Sequence, residues 1–348
     1  MEVMPGHHTY KEIVGQGEAW AASLAVAAAH APELTKALDP SRGDTLFIGC
    51  GSTYYLSQSA AAIWRAWTGC RAVGLPSSEV WLFPDLALAR PAPALLVAVS
   101  RSGETTETLR AVETYQKRTE GDWLSVGCYP KSSLGRLAPL SLMTVEAEEE
   151  SVAQTRSFTS MLVLTQALAG LAGGWRDLER LAGLPDVVNA VIPAYEPLAR
   201  WLGENEAIGR FVFLGSGANY GLANEAMLKM KEMSLSPSEA FHFMEFRHGP
   251  KSVVGPDMLV VGLVGDAARE QEAAVLHEMR DLGAKVLTIA ERVEGLPADY
   301  AVELKSGMDA VARAPLYLPI LQLLAYYRAM AKGLDPDRPT NLDAVVRL

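Results

Sequence analysis

Apolar residues along this chain come in two rhythms. Short unbroken runs, Leu46–Ile48, Leu95–Val99, Phe211–Leu214 and Met258–Val264, each stop abruptly at Gly or Ser. A run without polar alternation fits a strand covered on both faces, as in a parallel sheet. Longer stretches, Thr9–Leu38, Ser157–Gly173 and Ala312–Lys332, read as helices that are apolar on most sides. Such helices need deep burial or a partner subunit, so an oligomer is expected. Strands alternating with helices predict an α/β chain.

The pattern is written twice. TLFIGCGSTYYLS, from Thr45, matches FVFLGSGANYGLA, from Phe211, each reading as strand, Gly-x-Gly turn, then helix. SEVWLF from Ser78 echoes SEAFHF from Ser238, and the strand ending at Val99 echoes Met258–Val264. Self-similarity of this kind predicts two tandem domains, each a parallel sheet flanked by helices on both faces. The Gly183-Leu184-Pro185-Asp186 punctuation sets the expected boundary, giving residues 1–185 with the N-terminal helix and 186–348 with the C-terminal tail.

After the strand Leu95–Val99 comes SRSGET, Ser100–Thr105, followed by a helix. Hydroxyls and unpaired N–H groups on a first helical turn make an anion seat, although the same residues also serve as plain helix caps. The second half decides between these readings. At the matching place it has GDAARE, Gly265–Glu270, with Asp266 and no hydroxyl cluster. One half holds an anion and the other has specialised.

A net charge of −10, with no long basic stretch, argues against nucleic acid as the partner and leaves small anions. Cys50, Cys70 and Cys128 are odd in number and lack paired spacing, as expected in a reducing cytoplasm. Neither an apolar signal core nor a run of about 18 apolar residues is present, so no membrane partner is expected.

Two residues stand out as proton carriers. Glu225, Lys229 and Glu232 share one helix face, and Glu225 with Lys229 reads as an exposed i, i+4 pair. Glu232, at the helix end, faces an unfavourable dipole that would raise its pKa. His248 lies in the Arg247-His248-Gly249-Pro250 turn, where an imidazole can give or take a proton at neutral pH. His7 and His8 fall in an N-terminus expected to be mobile, and no paired histidine spacing marks a metal site.

Together GCGSTY, SRSGET, SVAQTRSFTSML, NEAMLKMKE, FRHGP and RPTNL resemble the double sugar-isomerase (SIS) domain family, above all the isomerase part of glucosamine-6-phosphate synthases. The resemblance implies that Gly51, Ser52, Thr53, Ser100, Arg101, Ser102 and Thr105 bind a sugar phosphate, and that Val152 and Gln154 line the sugar pocket. It implies Glu232 as the base moving a proton between C1 and C2, and His248, from the neighbouring subunit of a homodimer, as the ring-opening group. No metal or organic cofactor is expected, because the open-chain carbonyl itself acidifies the adjacent C–H. The expected substrate is a hexose or hexosamine 6-phosphate. Three departures in residues bear on the reaction: Arg101 stands where the synthases have glutamine, Gln154 where they have serine, and Asn341-Leu342-Asp343 leads to Ala344 where they have a Schiff-base lysine. The resemblance thus favours a cytoplasmic aldose–ketose isomerase of amino-sugar phosphates, resembling a glucosamine-6-phosphate deaminase. A fructosamine-6-phosphate deglycase, the isomerase subunit of a synthase system and a non-catalytic sensor are the alternatives.

Overall fold

The computed structural model describes residues 4–88 and 91–346. It contains two five-stranded parallel sheets. The first holds β1 (Thr45–Gly49), β2 (Ala72–Pro76), β3 (Leu95–Val99), β4 (Asp122–Gly127) and β5 (Ser141–Met143) in the order β2-β1-β3-β4-β5. The second holds β6 (Arg210–Gly215), β7 (Ser238–Phe241), β8 (Met258–Leu263), β9 (Lys285–Ala290) and β10 (Tyr300–Glu303) in the order β7-β6-β8-β9-β10. The two orders are the same, and the expected doubly covered parallel sheets are present.

Alternation within β1 shows how each face is filled. Phe47 meets Trp64 of the helix Ser52–Thr68, while Leu46 and Ile48 join Ala111, Val112 and Tyr115 of the helix Thr106–Arg118 in one core cluster. In the second sheet Val212, Leu214 and Val260 cluster with Val275, Leu276 and Met279 of the helix Arg269–Asp281. Burying each such large apolar side chain contributes roughly 1.5–3 kcal/mol. The all-round apolar helix Arg156–Ala172 is buried from Ser157 to Leu171.

The chain forms two compact units, and neither is a simple half. One comprises Gly15–Glu149, Arg156–Pro185 and the segment from Asp343; the other comprises the chain up to Val14, Glu150–Thr155 and Asp186–Leu342. The expected N-terminal helix is therefore corrected. It breaks at Gly15 into His7–Val14 and Gln16–Ala37, and its first part belongs with the second sheet. The cause is side-chain capture of backbone groups. Asp337 accepts the N–H groups of His8 and Thr9, so His7 and His8 open an anchored helix. Glu12 accepts the N–H groups of Glu150 and Ser151, at 2.6 and 3.3 Å, and the Ser151 hydroxyl.

The expected linker at Gly183–Asp186 also changes character. Leu184 begins the helix Leu184–Glu204. Pro185 falls in the first turn, where its missing N–H costs no hydrogen bond, and Asp186 there is favoured by the dipole. The SEVWLF and SEAFHF echo proves to be out of register. Gly74 of β2 lies opposite Phe47, as Ala240 of β7 lies opposite Phe213. Ser238–Phe241 thus corresponds to Ala72–Leu75, and SEVWLF falls on the helix Ser77–Leu82 and its C-cap residue Phe83. Among the described residues, no helix is long and apolar enough to cross a membrane.

Candidate active site

In a sheet ordered β2-β1-β3, ligands bind where the chain leaves the carboxyl ends of β1 and β3 in opposite directions. Both segments of the expected anion seat lie there. After β1, a Cβ on Gly49 would sit 2.4 Å from the Thr53 backbone, and Gly51 adopts φ 56°. These two glycines let the chain turn tightly into the helix Ser52–Thr68. Ser52 and Thr53 are buried in its first turn, and the Thr53 hydroxyl donates to Cys50 O at 3.0 Å while accepting Cys50 N–H at 2.9 Å.

After β3, Ser100 Oγ accepts the Gly103 N–H at 3.1 Å and Ser102 Oγ accepts the Glu104 N–H at 3.2 Å, folding the loop on itself. Gly103, at φ 63°, lies so close to Ser132 that any side chain would collide. The Glu104 carboxylate accepts the N–H and hydroxyl of Ser133 at 2.6 and 2.9 Å, which fixes the loop from outside. Thr105 is the N-cap residue of the helix Thr106–Arg118, yet its side chain makes no capping bond. That hydroxyl can turn to a ligand.

Arg101 behaves differently from its neighbours. Its guanidinium is buried and donates to Glu149 Oε2 at 3.2 Å and to the Ala344 carbonyl at 3.1 Å. Both terminal nitrogens of the side chain are thus engaged by protein groups. Sequence reading missed Glu149, because nothing in the run Glu148-Glu149-Glu150 distinguishes the carboxylate that faces inward.

A cleft of about 670 Å³ lies beside Leu95, Asp122 and Trp123. It opens at the amino ends of β3 and β4, away from the loops that carry chemistry in this architecture.

The unit containing the second sheet repeats the turn geometry with other contents. Gly215 is pressed against the Asn219 backbone and Gly217 has φ 58°, matching Gly49 and Gly51. Across the β6–β8 switch point, the Glu272 carboxylate accepts the Gly265 N–H at 2.8 Å, and the nearby Ser216 hydroxyl favours its ionised form. Burial raises its pKa from 4.5 to about 7. Asp266 pairs with Arg313, which is almost wholly buried and also donates to Met308 O. At this switch point the Gly265 N–H and the Arg313 guanidinium are thus engaged by the protein's own carboxylates.

The helix Asn219–Ser234 carries the expected catalytic face, with one correction. Glu225 and Lys229 are fully buried rather than an exposed pair, their charged atoms 3.4 Å apart. Lys229 also donates to Glu232 Oε2, whose side chain is 18% exposed. A buried ammonium is tolerated only when paired, and here two carboxylates of its own helix pair it. The result is a Glu232 carboxylate held by Lys229 and still partly exposed. Leu235 caps the helix at φ 50°, held by Lys332, whose Nζ donates to the carbonyls of Ser234 and Leu235 at 2.5 and 3.3 Å.

His248 is exposed on its loop. Its backbone N–H donates to Glu245 O at 3.0 Å, and the loop is pinned on both sides because Arg247 and Lys251 both bind Glu278. Val152 and Gln154 belong to the same unit as Glu232, on the segment Glu150–Thr155 that Glu12 holds. Gln154 Oε1 is buried without a hydrogen-bond partner among the described residues, and the Val152 N–H donates to Asp337 O.

Two parallel sheets of one topology, each with a glycine turn at its switch point, define a double SIS-domain protein. The SIS domain family matches residues 41–171 and 207–331, and the chain belongs to that family. The chain is 31% identical over 310 residues to the glutamine–fructose-6-phosphate aminotransferase of Xanthomonas campestris, covering 85% of this chain and 50% of that one. It spans about half the length of the curated relatives it matches. Among solved structures, tagatose-6-phosphate ketose/aldose isomerase from Escherichia coli superposes with a TM-score of 0.86 at 25% identity, over 97% of both chains. Glucosamine-6-phosphate deaminase from Thermotoga maritima gives 0.80 at 28% identity, over 98% of this chain and 100% of that one. The C-terminal domain of glucosamine-fructose-6-phosphate aminotransferase from Francisella tularensis gives 0.83 at 26%, over 96% and 98%.

Proposed function

We propose that this chain is a phosphosugar isomerase of SIS type that acts on an amino-sugar 6-phosphate in the manner of a glucosamine-6-phosphate deaminase. The observation that carries the reading is the buried Glu225–Lys229–Glu232 arrangement. A protein that merely binds phosphate has no use for an ammonium buried to aim a carboxylate, whereas a proton shuttle does.

In this reading the phosphate is held by Ser100, Ser102, Thr105 and the backbone of both switch-point loops. Gln154, with its unpartnered buried oxygen, contacts the sugar. His248 transfers the proton that opens the ring, and in a homodimer it serves the neighbouring subunit. Glu232 then removes the C2 proton of the open-chain aldose and returns it to C1. The electron pair of the C2–H bond passes through the enol or enamine, so C1 becomes the alcohol and C2 the ketone or imine. With an amine at C2, water hydrolyses the imine and ammonia leaves. The protein would work in the cytoplasm, where phosphorylated sugars are found.

The absence of lysine at Ala344 weighs toward this reading over the amino-transferring synthase. Deglycation of a fructosamine 6-phosphate uses the same proton transfers and is the second reading. The test is a panel of hexose, hexosamine and fructosamine 6-phosphates assayed in parallel for ketose and free ammonia. Ammonia from a hexosamine phosphate is the expected result. Ketose without ammonia would make the chain a plain isomerase, and binding without any turnover would make it a sensor.

A further inference from the structure

Two departures from the synthase pattern meet in space. Arg101, in place of glutamine, donates through Nη2 to the carbonyl of Ala344, in place of lysine, at 3.1 Å. Through Nη1 it donates to Glu149 at 3.2 Å. The Glu149 side chain is fully buried and is held by the N–H and hydroxyl of Ser157, at 3.0 and 2.5 Å. The guanidinium therefore projects from a fixed base. Farther along the same segment, the Val346 carbonyl accepts the Thr106 N–H at 3.4 Å, and Thr106 opens the helix that follows the anion seat. All of these groups lie in one compact unit.

We propose that Arg101 is a positioning residue: it latches the segment Asp343–Val346 onto the first turn of the helix Thr106–Arg118 before any substrate arrives. A planar guanidinium serves two acceptors at once, which neither a glutamine amide nor a lysine ammonium matches at this reach. The segment is thereby ordered by the protein itself and needs no bond to the sugar. Its ordering cost is met before binding, so substrate affinity rises without a contact to the reacting atoms. This consequence rests on the proposed sugar-phosphate seat; the latch itself does not.

The experiment has an arm for each. Without ligand, amide hydrogen exchange at Thr106 should quicken at least about tenfold in Arg101→Gln and in Arg101→Lys. The lysine variant keeps a charge opposite Glu149 and guards against simple misfolding. Ending the chain after Leu342 should give the same quickening, and adding Arg101→Lys to that truncation should change nothing further. With the active substrate, Arg101→Lys should raise KM several-fold with a much smaller change in kcat. Unchanged Thr106 exchange in both Arg101 variants would overturn the latch, as would additivity of Arg101→Lys with the truncation. Altered exchange with unchanged KM would uphold the latch and remove its role at the seat.

Discussion

At the carboxyl ends of β1 and β3 the chain presents Ser52, Ser100, Ser102 and Thr105. At the corresponding ends of β6 and β8 it presents Ala218, Asp266 and the inward-turned Glu272. The helices that follow β1 and β6 show the converse. Where the first carries Ser59, Ile63 and Ala66, the second carries Glu225, Lys229 and Glu232, aligned on the matching glycine turns. One sheet carries a hydroxyl cluster at these loops, with Ser100 and Ser102 folding the second loop on itself. The other turns a carboxylate onto the Gly265 N–H and places buried charge on its helix. The two sheets share one backbone plan and differ in the side chains placed on it.

The largest test of this division is Glu232→Gln, which keeps the shape of the second-half helix but cannot accept a proton. Turnover should fall by on the order of 10²–10⁴ while sugar-phosphate binding persists. C2-proton exchange with solvent at the wild-type rate would break the assignment.

Glu272 provides the next. Its folded pKa of about 7 lies above the ordinary 4.5 because of burial, so between those values the folded chain holds a proton that the unfolded chain has released. Stability from this group is full below pH 4.5 and falls as pH rises toward about 7, by up to roughly 3 kcal/mol. Glu272→Gln should flatten that slope. Urea unfolding at about pH 5 and about pH 8 reads it directly, and an equal slope in both proteins would mean that Glu272 is not the buried anion of its sheet.

A third comparison sets hydroxyl against hydroxyl. Thr105→Ala should weaken hexosamine 6-phosphate binding by about tenfold to a hundredfold, the loss of a hydrogen bond to a charged group of roughly 1.5–3 kcal/mol. Ser216→Ala, at the occupied switch point, should leave affinity unchanged. Calorimetric titration separates them, and equal losses would show that both sheets bind the ligand.

The smallest expected signal comes from mixing inactive Glu232→Gln and His248→Ala proteins under conditions of proven subunit exchange. If His248 serves the neighbouring subunit, random pairing should restore about a quarter of wild-type activity. No recovery would place His248 at work within its own subunit.

The repeated strand–Gly-x-Gly–helix pattern was enough to forecast two parallel sheets, because strands covered on both faces leave unbroken apolar runs and each run here ends at its turn. SRSGET and its decay to GDAARE were likewise readable, since helix-start hydroxyls form a local signal. The SEVWLF echo misled because similar residues fell six places out of structural register, a displacement that only strand pairing reveals.

Composition and periodicity therefore determined the elements, their duplication and the loop that carries the hydroxyl cluster, all of which depend on residues near one another in the chain. Tertiary structure alone decided the rest. Lys229 reads as a surface lysine at i, i+4 spacing until the packing around its helix buries it. Glu149, Glu272 and Glu12 look like any acidic residues until folding turns N–H groups onto them, those on Glu12 from far along the chain. Arg101 reads as a member of a loop motif until Ala344, far along the sequence, offers its carbonyl. The physical reason is desolvation: a buried charge takes its role from the partners it is forced to find, and sequence spacing specifies neither the burial of Lys229 nor the distant partners of Arg101 and Glu12.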